Sequence, residues 1–152
     1  MIEDDGDIVR GLGFVALYSA YIEEQIDNLL LTLNQIVKFG EDEQRWQISR
    51  KIKHAKKALK QIEFESRDDL IANLTLCKEI FEDRNELIHG RIYGNFRRPD
   101  ILKSARPNTP DREVTSSELY KLANECYEFL SAIYRPTIFE IPRAIKDYKN
   151  IA

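Results

Sequence analysis

The 152-residue chain has few of the residues that punctuate sheets and turns. Its 6 Gly and 5 Pro are too few for a many-stranded sandwich or barrel. It has only two cysteines, Cys77 and Cys126, far apart and each on an apolar helical stripe, which reads as two reduced core thiols and excludes a disulfide framework. Two histidines, with no HExxH and no CxxC, leave little from which to build a transition-metal site, so neither a metal nor a cofactor is expected. No apolar run approaches the roughly 18 residues that span a bilayer, and the acidic start from Met1 to Asp7 has the wrong sign for a secretory signal. A cytoplasmic protein with no membrane contact is expected. A Gly-rich phosphate loop, a nucleophile elbow and a paired-carboxylate motif are also missing, which argues against a small-molecule enzyme. What is present is 43% hydrophobic and 32% charged residues, a globular but charge-rich composition. The formal net charge is -3, so an anionic partner has to be met by a local basic patch.

The pattern of apolar residues predicts a single, mostly helical domain over residues 1–152. Residues 8–39 read as one long helix, with Phe14, Leu17, Tyr21, Leu29, Leu30, Leu33, Ile36 and Val37 at helical spacings, Asp7 as N-cap and Gly40 as stop. Gly11 and Gly13 imply either a later start or close approach of another helix. A second helix is expected over about 42–63, carrying Ile48, Ile52, Ala55, Leu59 and Ile62. Ser66 caps a third, 67–89, with the seam Leu70, Leu74, Cys77, Phe81 and Ile88, and Gly90 ends it. The connection 90–114 holds three prolines and is expected to contain a hairpin pairing Arg91–Tyr93 with Glu113–Thr115. A capping box of Thr115 and Glu118 opens a fourth helix to about Tyr134, carrying Leu119, Leu122, Cys126, Leu130 and Ile133 inward, and Pro136 stops it. The tail from Thr137 predicts a short C-terminal helix packed on the bundle, or an exchanged arm. Four helices with one long crossover make an antiparallel four-helix bundle the expected fold.

The third helix carries an anomaly. Its rhythm runs 70, 74, 77, 81, 84, 88, so Arg84 stands where Leu or Ile is expected. An unpaired buried guanidinium would cost several kcal/mol. Arg84 must therefore reach water, pair with an acid such as Glu23, Glu24 or Asp27, or face a cavity or partner. Asn85 and His89 lie four apart on the same helix, beside this position and in its last turns. A structural reading stands beside the functional one, because a final-turn His followed by Gly is a common helix end.

The segment Glu82-Asp83-Arg84-Asn85-Glu86-Leu87-Ile88-His89-Gly90 resembles the signature of the HEPN superfamily, an Arg and a His four to six residues apart, often with Asn directly after the Arg. The layout is also similar: a helical bundle of this size, the motif near the end of a late helix, and a crossover before the last one, over most of residues 8–134. The resemblance implies a metal-independent endoribonuclease that works as a homodimer, with the motifs of two protomers facing one RNA-cleaving cleft. It implies that His89 acts as general base or acid, that Arg84 holds the scissile phosphate, and that Asn85 orients His89 or the phosphate by hydrogen bonds. The products would be 2′,3′-cyclic phosphate and 5′-hydroxyl ends. A toxin or antiviral defence role, with an antitoxin or regulatory protein as partner, would be in keeping with the family. A noncatalytic HEPN-like RNA-binding or protein-interaction bundle is the alternative. Family toxins paired with a nucleotidyltransferase antitoxin carry a Tyr two residues after the motif His. Here that position is Arg91, with Tyr93 beyond it, so regulation by that route is not expected.

The second helix adds a separate signal. From Arg45 to Lys60 it carries Arg45, Arg50, Lys51, Lys53, Lys56, Lys57 and Lys60, with no acid before Glu63, whereas a merely solvated face usually mixes signs. A surface that tracks phosphates explains the bias, with Arg50, Lys53 and Lys57 as expected RNA contacts. Arg91, Arg97 and Arg98 extend the positive charge beyond His89, as does Arg106. Tyr93 and Phe96 are expected to pack the hairpin onto the bundle, with base stacking as the other reading. His54 is expected at the surface.

Overall fold

The computed structural model describes residues 1–151. Its first helix, α1 (Ile8–Thr32), opens as the sequence predicts: the Asp7 carboxylate accepts the N–H groups of Val9 and Arg10 at 3.0 and 3.1 Å. It stops short of residue 39. Leu33–Gln35 tighten into a 3₁₀ turn, and Asn34 Oδ1 accepts the Phe39 N–H at 2.8 Å, a local bond that competes with the helical ladder. The expected second helix is divided as well, into α2 (Glu41–Gln44) and α3 (Ile48–Leu59). The N–H groups of Arg45 and Trp46 turn back onto the carbonyls of Asp42 and Glu43, and Gln47 is extended, so the chain restarts at Ile48. α4 (Arg67–His89) lies between Ser66 and Gly90 as expected. The Ser66 hydroxyl, however, donates to Glu140 Oε2 at 2.6 Å, and its N–H donates to Glu140 Oε1 at 3.2 Å, so a distant carboxylate occupies the start of this helix.

Three strands follow: β1 (Arg91–Asn95), β2 (Arg98–Lys103) and β3 (Arg112–Glu113), antiparallel in the order β1-β2-β3. The expected strand at Arg91–Tyr93 is there, but its partner is β2, with Arg91 opposite Lys103 and Tyr93 opposite Ile101. The segment around Glu113 pairs with β2 instead of β1. Pro99 concealed β2 from the sequence pattern. It is tolerated because the register slips between Tyr93 and Asn95 and because β3 pairs only from Ile101 onward, so no ladder partner needs its missing N–H. Phe96 and Tyr93 do not pack the hairpin down: Phe96, in the turn, is 100% exposed, and Tyr93 is exposed with the Lys103 ammonium 5.3 Å from its ring centroid.

α5 (Ser116–Arg135) starts as expected, with Thr115 Oγ1 accepting the Glu118 N–H at 3.2 Å. Pro136 does not stop the chain. Pro136–Glu140 form a π-helical turn that leads directly into α6 (Ile141–Ile151), whose Ile141, Ala144 and Ile145 are buried. Helix far outweighs strand among the described residues, which makes the fold mainly α.

Two compact units divide the chain, Met1–Ala20 with Glu79–Tyr127, and Tyr21–Lys78 with the segment from Glu128 onward. In the first, Val15, Phe81, Leu87, Leu102, Val114, Leu119 and Cys126 are buried. Gly11 lies so close to α5 that a Cβ there would sit 3.1 Å from Leu119 Cβ, the helix approach that the early glycines anticipated. In the second, the buried residues include Ile26, Leu30, Ile52, Leu59, Leu74, Ile133 and Ile145. In the first half of α1 the expected stripe is displaced, because Leu17 and Tyr21 are exposed and the buried row is Val15, Ser19, Ile22 and Ile26, whereas Leu29, Leu30, Leu33 and Val37 are buried as expected. No helix of the described residues is long and apolar enough to cross a membrane.

Candidate functional site

Arg84 sits on α4 in the first unit, at the slot where its seam carries a charge in place of an apolar group. It is half-buried. None of the acids suggested by sequence pairs with it, and Asp27 is engaged by Lys51 at 2.7 Å. Among the described residues Arg84 forms no ion pair. Its Nε–H instead donates to Ser19 Oγ at 3.2 Å, and its Nη1 donates to Asn85 Oδ1 at 2.9 Å, with Phe81 beneath it, the ring centroid 5.7 Å from Cζ. Ser19 is fully buried, and its hydroxyl donates a hydrogen bond to the Ala16 carbonyl at 3.1 Å. The fork is thus held by two neutral oxygens over the Phe81 ring, with no carboxylate paired to it among the described residues.

Asn85 is tied into this arrangement. Because its Oδ1 accepts from Arg84, its amide NH₂ is directed elsewhere as a donor. His89, one turn further along α4, is its last residue and is exposed. Directly after it, Gly90 lets β2 close on the helix end: a Cβ there would stand 2.6 Å from Leu102 Cδ1 and 2.7 Å from the Glu86 carbonyl oxygen.

The same helix end is clamped to the sheet by Arg112. Its Nε donates to Glu86 Oε1 at 2.6 Å, while Nη2 and Nη1 donate to Glu118 Oε1 and Oε2 at 2.6 and 3.0 Å. These two carboxylates push the Arg112 guanidinium above its ordinary range. Asp83 beside them lies above the usual carboxylate range, first because it has lost water and then because Glu86, Glu118 and Glu82 are close. Burial pushes the Cys126 thiol up to about 12, against the opposing charge of Arg84, so this thiol is chemically quiet.

The structure therefore brings Arg84 and Asn85 into direct contact and sets His89 one turn away, with Arg91 opening β1, Arg97 in the following turn and Arg98 opening β2, all three exposed and all in the first unit. Arg50, Lys53 and Lys57 are exposed on α3, in the second unit. Lys51 of the same helix is not available to a ligand, since it is 8% exposed and paired with Asp27. His54 is half-buried, with Nε2 2.8 Å from the Lys38 carbonyl oxygen. The sequence reading missed Ser19 and Arg112. A usable signal for Ser19 existed: it is a hydroxyl in the helical row Val15, Ser19, Ile22, Ile26, a polar break in α1 matching the polar break in α4. A cleft of about 1070 Å³, lined in part by Asp69, Arg135, Glu140 and Arg143, belongs to the second unit and contains none of Arg84, Asn85 and His89. Among the described residues no group of His, Cys, Asp and Glu is placed to hold a metal ion. No family model, curated protein or solved structure matches the chain.

Proposed function

We propose that the chain is a HEPN-like, metal-independent endoribonuclease built on an antiparallel four-helix bundle. The observation that carries this reading is Arg84: a half-buried guanidinium whose hydrogen-bond partners are neutral, which suits an anion that arrives with the substrate. In this reading Arg84 binds the scissile phosphate and stabilises charge on its equatorial oxygens. His89, exposed at the end of α4, removes the ribose 2′-hydroxyl proton or protonates the leaving 5′-oxygen, since imidazole titrates near neutral pH. The Asn85 amide orients the phosphate. The oxygen of the 2′-hydroxyl attacks phosphorus, the bond to the 5′-oxygen breaks, and the ends are a 2′,3′-cyclic phosphate and a 5′-hydroxyl.

The single motif His of each chain serves one proton transfer at a time, so the reading includes a homodimer whose two His89 side chains share the two roles. Exposed Leu17 and Tyr127, in the same unit as Arg84, supply apolar surface suited to such an interface. Arg91, Arg97 and Arg98 on one unit and Arg50, Lys53 and Lys57 on the other bind the RNA backbone. A toxin or defence role in the cytoplasm, restrained by an antitoxin or regulatory protein, completes the proposal.

The test is cleavage of a labelled single-stranded RNA in chelator by the parent, His89→Ala and Arg84→Ala proteins, with folding and dimerisation checked. Both substitutions are expected to lower the rate at least about 100-fold. Products with 3′-hydroxyl ends, or a requirement for divalent metal, would overturn the mechanism. RNA binding without cleavage by any of the three proteins would leave the noncatalytic binding bundle as the function.

A further inference from the structure

A second feature, in the other unit, has the build of a ligand site. Trp46, in the turn between α2 and α3, borders an open groove of about 930 Å³ that runs along α3. None of its lining residues is acidic. Arg50 lies over the Trp46 ring with Cζ 3.9 Å from the centroid, and His54 meets the ring edge-on, the centroids 5.1 Å apart. Past this aromatic end the groove is walled by Lys53, Lys56, Lys57 and Lys60.

Two properties decide what fits. The lysines call for a chain of negative charge, and the spacing of α3 places Lys53, Lys57 and Lys60 along one helix face, so a row of phosphates is met at several points. Charge alone would also admit an acidic peptide or polyphosphate. The aromatic end would not be needed for either. A Trp ring with an Arg over it, partly open to solvent, is the kind of surface on which a nucleobase gains about 1–3 kcal/mol by stacking.

We propose that this groove is a single-stranded RNA site in which a base stacks at the Trp46–Arg50 pair and the following phosphates lie along Lys53, Lys57 and Lys60. It deepens the RNA reading above by naming a base-stacking contact. It does not depend on cleavage at Arg84. Its role would be to hold a strand in place whether or not the strand is cut.

Trp46 is the single tryptophan of the chain, so its emission reports on this groove directly. The experiment titrates the full-length protein with a 2′-O-methyl oligouridylate, which 2′-hydroxyl attack cannot cut. An abasic strand of equal charge and a polyglutamate peptide are run in parallel. The oligouridylate is expected to quench Trp46 and to bind at least about tenfold more tightly than the abasic strand. The exposed double variant Lys53→Ala/Lys57→Ala should weaken binding about uniformly and reduce the logarithmic salt slope by about 1.4. Equal binding of the abasic strand would reduce the groove to a charge patch and overturn the proposal, as would tighter binding of polyglutamate. Cleavage of unmodified RNA is measured on the same samples. Cleavage without quenching would sink the groove alone, and quenching without cleavage would sink the nuclease alone.

Discussion

Replacing Ser19 by Ala removes one hydroxyl from a fully buried position and leaves its apolar surroundings intact. What is lost is the hydrogen bond from Arg84 Nε, 3.2 Å long, together with the weaker bond from the hydroxyl to the Ala16 carbonyl within the same helix. Bonds to a charged group are worth about 1.5–3 kcal/mol. Two features favour the low end. The bond is long for an N–H donor, and Arg84 is half-buried, so water recovers part of the loss. Ala also improves on Ser in helix propensity by a few tenths of a kcal/mol. The net expectation is about 1 kcal/mol of destabilisation, a factor of about five in the folded-to-unfolded ratio. Urea unfolding of the parent, Ser19→Ala, Arg84→Met and the double variant, followed by circular dichroism, forms a double-mutant cycle that isolates the pair. A coupling of about 1 kcal/mol is expected, and the same loosening should slow RNA cleavage by Ser19→Ala about fivefold. A coupling below about 0.3 kcal/mol would refute the claim that Ser19 positions the guanidinium.

Two further outcomes follow from the packing and the charges. Gly90→Ala sets a Cβ 2.6 Å from Leu102 Cδ1 and 2.7 and 3.0 Å from the carbonyl oxygens of Glu86 and Lys103. It should cost about 2 kcal/mol, read as a lower urea midpoint, and an unchanged midpoint would show that β2 and α4 are not pressed together there. The Asp5 carboxyl is held down from 3.8 to about 2 by the Tyr120 hydroxyl, the Asp7 N–H and Arg10. A carboxyl lowered in the folded state adds stability above its unfolded value and loses it as pH falls through the folded one, here between about 4 and 2. The stability gap between the parent and Asp5→Asn should therefore close across that window. A gap that persists at pH 2 would assign it to something other than the Asp5 charge.

The limits of α4 were legible because both ends carry punctuation, Ser66 before and Gly90 after, and a regular seam runs between them. α5 opened at Thr115 for the same reason. Elsewhere local chemistry defeated periodicity. Asn34 captures the Phe39 N–H and ends α1 early, although the apolar spacing continues to Val37. On α1 two stripes compete, and Phe14, Leu17 and Tyr21 are larger than Val15 and Ser19, so size pointed to the wrong face. Pro99 hid β2, since a proline argues against a strand unless the neighbouring ladder is known to lapse. At the site, Arg84, Asn85 and His89 could be named because they share one helix and their spacing is visible. Ser19 and Arg112 act across 65 and 26 positions of sequence, and no local pattern announces a partner at such range.

The bond between Ser66 and Glu140 also sets an order of events during synthesis. Its two ends are 74 positions apart. A ribosome adding roughly 5–20 residues per second takes about 4–15 s to pass from one to the other. Through that interval the N–H and hydroxyl of Ser66, just before α4, stay solvated, bonded to water and not to carboxylate. The second unit is thus completed late, when the π-helical turn emerges and delivers Glu140, so a nascent chain halted before that residue has α4 unfastened at its start.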